Sequence, residues 1–290
     1  MSSDPNPLPQ DALNLLQSFM PDHSLACGFI PLPQRDAVTT LYAFAAELHA
    51  VTWRAREPMM GEIRLQWWRE ALLGERPKSE VEAHPLASHV MLQLARFQLP
   101  VTGLVDLVDG LMDDLYDDPP DDLTALEFYC GQTSSVLMRY ASLMLADGGD
   151  AGKPETAGPA GVAFALTEMI LQLPNHVRSG RVKIPTTLLH KAGIEPQTIQ
   201  SLQDPELVRA LILPLLDLAQ TRLDEFQTFK PSLPAAVRPA FALMGLVKPR
   251  IKLLRKAFMS PSYQPFEPVA DINPLAKIMR LWMAAVWGRV

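Results

Sequence analysis

Cysteine is nearly absent, with Cys27 and Cys130 far apart in the chain and neither in a CxxC pair. That excludes a zinc ribbon and a disulfide framework, and fits two buried thiols in a reducing compartment. Aromatic residues make up only 7% of the chain, while Leu and Ala dominate a 48% hydrophobic share. Such a balance favours packed helices over sheets, with enough apolar mass for a sizeable core. Basic blocks are missing too. The net charge of -6 spreads over the whole chain, so nucleic acid is not an expected partner. No uninterrupted apolar stretch reaches the length of a membrane span. The first residues, Pro-rich and acidic, lack the layout of a signal or transit peptide, and the expected location is cytoplasmic.

What is present is helical spacing. In 34–54, Val38, Leu41, Phe44, Ala45, Leu48 and Thr52 recur every three or four residues and predict a buried stripe. Ile63, Trp67 and Leu72 continue the pattern after a break at Pro58, with the pair Trp67-Trp68 read as core and rim. Further helices are predicted over 86–97, 101–115, 161–173 (stopped by Pro174), 206–229 and 234–258. Thr124 with Glu127 reads as a capping box opening a long helix through Leu145. Residues 147–159 and 260–274, rich in Gly, Asp and Pro, read as a loop and a linker. The last segment, 274–290, is apolar with Trp282 and Trp287 among Lys277, Arg280 and Arg289. That composition suits a membrane interface as well as it suits a helix docked on the core.

The expected fold is all-α in one large domain. Its divisions are an extension over 1–22, a helical body over 23–259, and a linker with an amphipathic helix over 260–290. Asp113, Asp114, Asp117, Asp118, Asp121 and Asp122 around Pro119-Pro120 read as a solvated acidic loop. No nucleophile elbow, P-loop or dinucleotide fingerprint is present.

Several strings, in order, resemble the squalene/phytoene synthase family of head-to-head prenyl transferases. They are Ser24 with Pro33–Arg35, Leu41-Tyr42-Ala43-Phe44, and Arg64-Leu65-Gln66-Trp67-Trp68-Arg69. Asp109-Gly110, Asp114-Leu115, Glu127, Tyr129-Cys130 and Leu166-Thr167 follow, then Arg178, Gly180-Arg181 and Pro185. The resemblance spans about 24–255 and implies the isoprenoid synthase fold, helices around a central cavity. It also implies a chemistry, ionisation of a prenyl diphosphate by Mg²⁺ held on carboxylates of two facing helices. Mg²⁺ needs oxygen ligands in near-octahedral geometry, and a DxxxD spacing puts two carboxylates on one helix face.

This sequence departs from that pattern where the metal would bind. The first motif positions carry His49, Ala50 and Trp53, and the second carry Gln172 and His176. None is a carboxylate, and neutral His is a poor Mg²⁺ ligand. His49 and His176 together lack the further ligands of a zinc site. Glu47 should point away from His49, while Glu168, one turn before Gln172, could face the cavity.

A catalytically degenerate subgroup of the family, resembling the mitochondrial complex I assembly factor of this superfamily, shares such losses. Glu47-Leu48, Gln132-Thr133-Ser134-Ser135 and the Trp-containing apolar end are similar to it. The resemblance implies a non-catalytic assembly or scaffolding factor for a respiratory membrane complex. Such a factor needs no metal or other cofactor, works beside a protein partner, and can sit peripherally on the inner membrane. The rival expectation is a divergent prenyl transferase or isoprenoid lipid carrier. There Ser24, Arg35, Arg178 and Arg181 would contact phosphate, and Asp109, Asp114 or Glu168 would hold Mg²⁺. Arg178 and Arg181 could equally pair with helix acids and fix their turn.

Overall fold

The computed structural model describes residues 7–116 and 118–289 and contains no β-strand among them. Asp117 and the first six residues of the expected extension lie outside the described residues. Among the described residues fifteen α-helices follow one another. The first seven are α1 (Gln10–Phe19), α2 (Pro21–Cys27), α3 (Leu32–Arg54), α4 (Pro58–Leu73), α5 (Lys78–Ala83), α6 (Pro85–Arg96) and α7 (Thr102–Met112). The next four are α8 (Leu123–Cys130), α9 (Val136–Ala146), α10 (Ala157–Leu171) and α11 (Leu173–Ser179). The last four are α12 (Thr186–Lys191), α13 (Pro205–Phe229), α14 (Met244–Phe258) and α15 (Pro274–Trp287). No helix among the described residues is long and apolar enough to cross a membrane.

Two helices, α3 and α10, bury most of their residues and are central to the packing. All six residues of the predicted α3 stripe are buried, and α10 buries Ala160, Val162, Ala163, Phe164, Leu166 and Ile170. Around α3 pack α1, α4, α6, α7 and α9, and around α10 pack α8, α9, α13 and α14. The two cores meet at α9 and leave a cavity between them.

Several sequence expectations need correction. The cap of α8 is Asp122, whose side chain accepts from Ala125 N, and Thr124 lies inside the helix. The long helix expected through Leu145 runs without a gap to Ala146 and contains a π-helical segment over Gly131–Ser135. Its register lets α10 approach closely, so that a Cβ on Gly161 would overlap the Ser135 backbone. The helix expected to stop before Pro174 does so two residues early, at Leu171, but the chain resumes at once as α11, with Pro174 in its first turn, where its missing N–H costs nothing. The helix expected over 234–258 is a 3₁₀ segment, Ala235–Phe241, followed by α14. Ile63 is exposed on α4 rather than part of a buried stripe.

The two ends of the chain pack onto this body. α1 buries Ala12 and Leu16 against α3. α15 buries Leu281, Ala284 and Ala285 against α14 and the 3₁₀ segment. Gly245 permits that contact, because a Cβ there would stand 2.7 Å from Arg280 O.

Candidate functional site

The cavity between the cores has a volume of about 720 Å³. One wall is α3, which presents His49, Thr52 and Trp53; the other is α10 and α11, with Phe164, Glu168, Met169, Gln172 and His176. His49 and Trp53, four residues apart, share a helix face, and so do Gln172 and His176 across the break between α10 and α11. The Trp53 and His176 rings meet across the cavity with centroids 6.0 Å apart. Gly180 turns the chain with φ of 79°, a conformation that favours glycine, and so leads Arg181 back to the cavity. Arg181 donates to Thr52 O at 2.7 Å, and its guanidinium lies 5.0 Å from the Trp53 ring centroid.

The carboxylates that reach this space are engaged. Lys183 Nζ lies 2.7 Å from Asp114 Oδ1, and Tyr129 donates its hydroxyl hydrogen to Asp114 Oδ2 at 2.8 Å. Glu168 Oε2 accepts from Arg250 at 2.8 Å, while Oε1 faces Gln172 Nε2. Asp22, from the start of α2, is bonded to both Arg250 and Lys277. Arg250, only 1% exposed, also donates Nε and Nη2 to Asp271 at 3.0 and 2.7 Å. Lys277 closes the cluster at 2.7 Å from Asp271. Asp22, Glu168 and Asp271 thus surround two cations, an arrangement that satisfies charges which would be costly alone.

The electrostatics follow from burial. His23 is held down to about 4 by burial, against the upward pull of Asp22, with its ring set edge-on to Tyr42 and Phe164. Burial also lowers His49, against the pull of Asp114, and lowers His176. All three imidazoles are neutral near pH 7. Burial raises Glu168, against the pull of Arg250. It would raise Asp271 as well, but bonds from Arg250 and Lys277 overcome it and hold that carboxyl at about 2.

Of the residues singled out from sequence, the cavity gathers His49, Trp53, Gln172, His176, Arg181, Asp114 and Glu168. Others lie elsewhere. Ala50 packs in the core, and Ser24 sits half-buried on α2 away from the lining. Arg35 donates to Ile30 O and Gly28 O, clamping the chain between α2 and α3. Arg178 is exposed beside Asn175, and Asp109 pairs with Arg69 at 3.0 Å on the outside of α7. Glu47 faces His84 on the far side of α3.

Sequence reasoning missed Lys183, Asp22, Asp271 and Arg250, and did not see that Lys277 turns inward. Arg250 left a readable signal. It falls on the buried face of α14 with Leu246, Val247, Ile251 and Leu254, where a lone cation needs acids from neighbouring elements.

Mg²⁺ is the ion the expected chemistry would require, and the residues present do not fit it. The five motif positions offer imidazole, methyl, indole and amide, and no carboxylate. Asp114 and Glu168 already spend their oxygens on Lys183, Tyr129 and Arg250. Among the described residues, no group of three or more His, Cys, Asp or Glu is placed to hold a metal.

Comparison with known proteins completes the picture. The family model described as squalene/phytoene synthase matches residues 18–257. The human protein named NADH dehydrogenase (ubiquinone) complex I, assembly factor 6 is 22% identical over 273 residues, covering 93% of this chain and 80% of its own. The presqualene diphosphate synthase of Rhodopseudomonas palustris is 28% identical over 218 residues, covering 71% and 69%. Among solved structures, a dehydrosqualene synthase in complex with ligand superimposes with a TM-score of 0.73 at 17% identity, covering 96% of this chain and 95% of that one. A squalene synthase from Alicyclobacillus acidocaldarius gives 0.69 at 17% identity, covering 87% and 94%. These structures share the fold.

Proposed function

The chain belongs to the squalene/phytoene synthase family, and from that premise we propose that it is a non-catalytic member, an assembly or scaffolding factor for a respiratory NADH dehydrogenase-type complex. One observation carries the reading. The five motif positions hold His49, Ala50, Trp53, Gln172 and His176 with no carboxylate among them, and the acids nearest the cavity are bonded to the protein's own cations. Without a metal to neutralise it, a diphosphate leaving group would have only Arg181 and the Asp114-paired Lys183 to meet its charge in this cavity. The human relative that bears the assembly-factor name aligns over 93% of the chain and supports the choice of role. The expected place of action is the surface of the membrane that carries the complex, beside a protein partner.

Two measurements test this. Purified protein is mixed with farnesyl or geranylgeranyl diphosphate, with and without Mg²⁺, and diphosphate release is followed. No metal-dependent release is expected, and sustained release would sink the non-catalytic reading. In the host, the gene is deleted and the assembled NADH dehydrogenase complex is measured on native gels. Assembly should fall and return with the wild-type chain, and unchanged assembly would remove the scaffolding role.

A further inference from the structure

On the outer side of the two helices that carry Arg250 and Lys277, α14 and α15 bound a groove of about 870 Å³. One wall carries Lys248, Lys252 and Lys256, spaced four residues apart, and all three are exposed. The other carries Arg280 and Arg289. No carboxylate lines this groove, and among the described residues neither the three lysines nor Arg280 forms an ion pair. The chain as a whole bears a net charge of -6, so this concentration of cations runs against its overall balance.

Beside the groove runs a second feature. Leu275, Met279, Trp282 and Val286 recur at intervals of four, three and four on α15 and form one outward apolar ridge. Leu275 is 78% exposed and Met279 54%, while the Trp282 and Trp287 rings meet edge to face at 4.5 Å on the outer surface. The helix is fastened from its other face, by Leu281, Ala284 and Ala285 and by Lys277 in the buried cluster. It is therefore presented to the outside as a rigid element, with tryptophans and cations side by side. Tryptophan is the side chain best suited to the headgroup level of a bilayer, and lysine ridges beside it attract anionic headgroups.

We propose that the α14–α15 face is a docking surface for an anionic lipid bilayer, with the α15 ridge entering the interface and the lysines of α14 meeting lipid phosphates. Charge complementarity selects this occupant. A neutral apolar partner would leave four cations without counterions, and a soluble acidic partner gives no reason for the exposed tryptophans. The surface holds whether or not the protein takes part in assembly.

The test uses the full chain with phosphatidylcholine vesicles and with vesicles enriched in phosphatidylglycerol, followed by flotation. Binding should be confined to the anionic vesicles and weaken by at least ~10-fold as salt rises, since exposed charges are screened within a Debye length. The triple variant Lys248→Glu, Lys252→Glu, Lys256→Glu should lose binding by at least ~10-fold. The triple variant Lys78→Glu, Lys153→Glu, Lys191→Glu, with the same change in net charge at exposed sites elsewhere, should keep it. Trp282→Phe with Trp287→Phe should lose most of the blue shift in tryptophan emission on vesicle addition. Equal binding to both vesicle types, no binding to either, or equal loss in the two lysine variants would overturn the proposal. Unchanged thermal melting of each variant establishes that it is folded.

Discussion

The cavity and the α14–α15 face are built from the same kinds of side chain and treat them in opposite ways. In and behind the cavity Lys183, Arg250 and Lys277 are bonded to Asp114, Asp22, Glu168 and Asp271. On the outer face Lys248, Lys252, Lys256 and Arg280 pair with no carboxylate among the described residues. Burial explains the first arrangement, because an unpaired charge out of water costs several kcal/mol and must be neutralised from within. The second costs little in water and remains open to an external partner. An internally neutralised cavity is poorly suited to a metal-bound diphosphate, while an unneutralised rim is suited to an anionic surface.

The comparison breaks hardest at Arg250. Arg250→Met should remove the cation shared by Asp22, Glu168 and Asp271 and destabilise the fold by about 3–5 kcal/mol, the usual cost of breaking a buried ion pair from one side. Chemical denaturation would measure it. A loss below ~1 kcal/mol would mean that the cluster is hydrated and that pairing in the cavity is not needed for folding.

Acid should attack the same region next. His23 is held at about 4 in the fold, below the ordinary histidine value of ~6.5. As pH falls, the unfolded chain therefore takes up its proton first. The contribution is fully present above ~6.5 and is lost as pH falls to about 4, amounting to about 3 kcal/mol. His23→Leu should flatten that part of the curve. Asp271, depressed to about 2, acts lower down, its contribution disappearing from ~4 towards about 2.

How much of this was visible in sequence follows from what each feature depends on. The α3 stripe and the loss of motif carboxylates at His49, Trp53, Gln172 and His176 are local, since spacing alone fixes which residues share a face. The cavity cluster is not local. Asp22 and Lys277 are separated by 255 positions, and no periodicity predicts that α2 and α15 converge on Arg250. The π segment is also a product of packing. Gly161 admits the Ser135 backbone, and the backbone yields to that contact rather than to any propensity within Gly131–Ser135. The end of α10 was legible from Pro174 to within two residues, but the immediate restart as α11 was not, because proline marks a helix start as readily as an end.

Gly245 links the two regions, since it seats α15 and so carries both Lys277 inward and the tryptophans outward. Gly245→Ala would place a Cβ 2.7 Å from Arg280 O, a backbone atom that cannot rotate away. Overpacking of this kind typically costs about 1–3 kcal/mol. The loss should concentrate in α15, seen as faster amide exchange over 274–287 than over α3. Uniform exchange would mean that α15 and the body unfold as one unit.

The smallest effect is expected where the comparison is sharpest. Lys252 stands four residues from both Lys248 and Lys256, and like charges at that spacing on a helix repel by a few tenths of a kcal/mol per pair, roughly 0.2–0.5. Lys252→Ala should therefore leave folding stability unchanged or raise it by about 0.5 kcal/mol at low salt. The gain should vanish at high salt, where exposed charges are screened. The contrast with Arg250 is then direct: both remove a cation from α14, two residues apart, one from the buried face and one from the outer face. A loss at Lys252 comparable to that at Arg250 would show that the outer lysines are also neutralised from within, and the distinction between the two regions would fail.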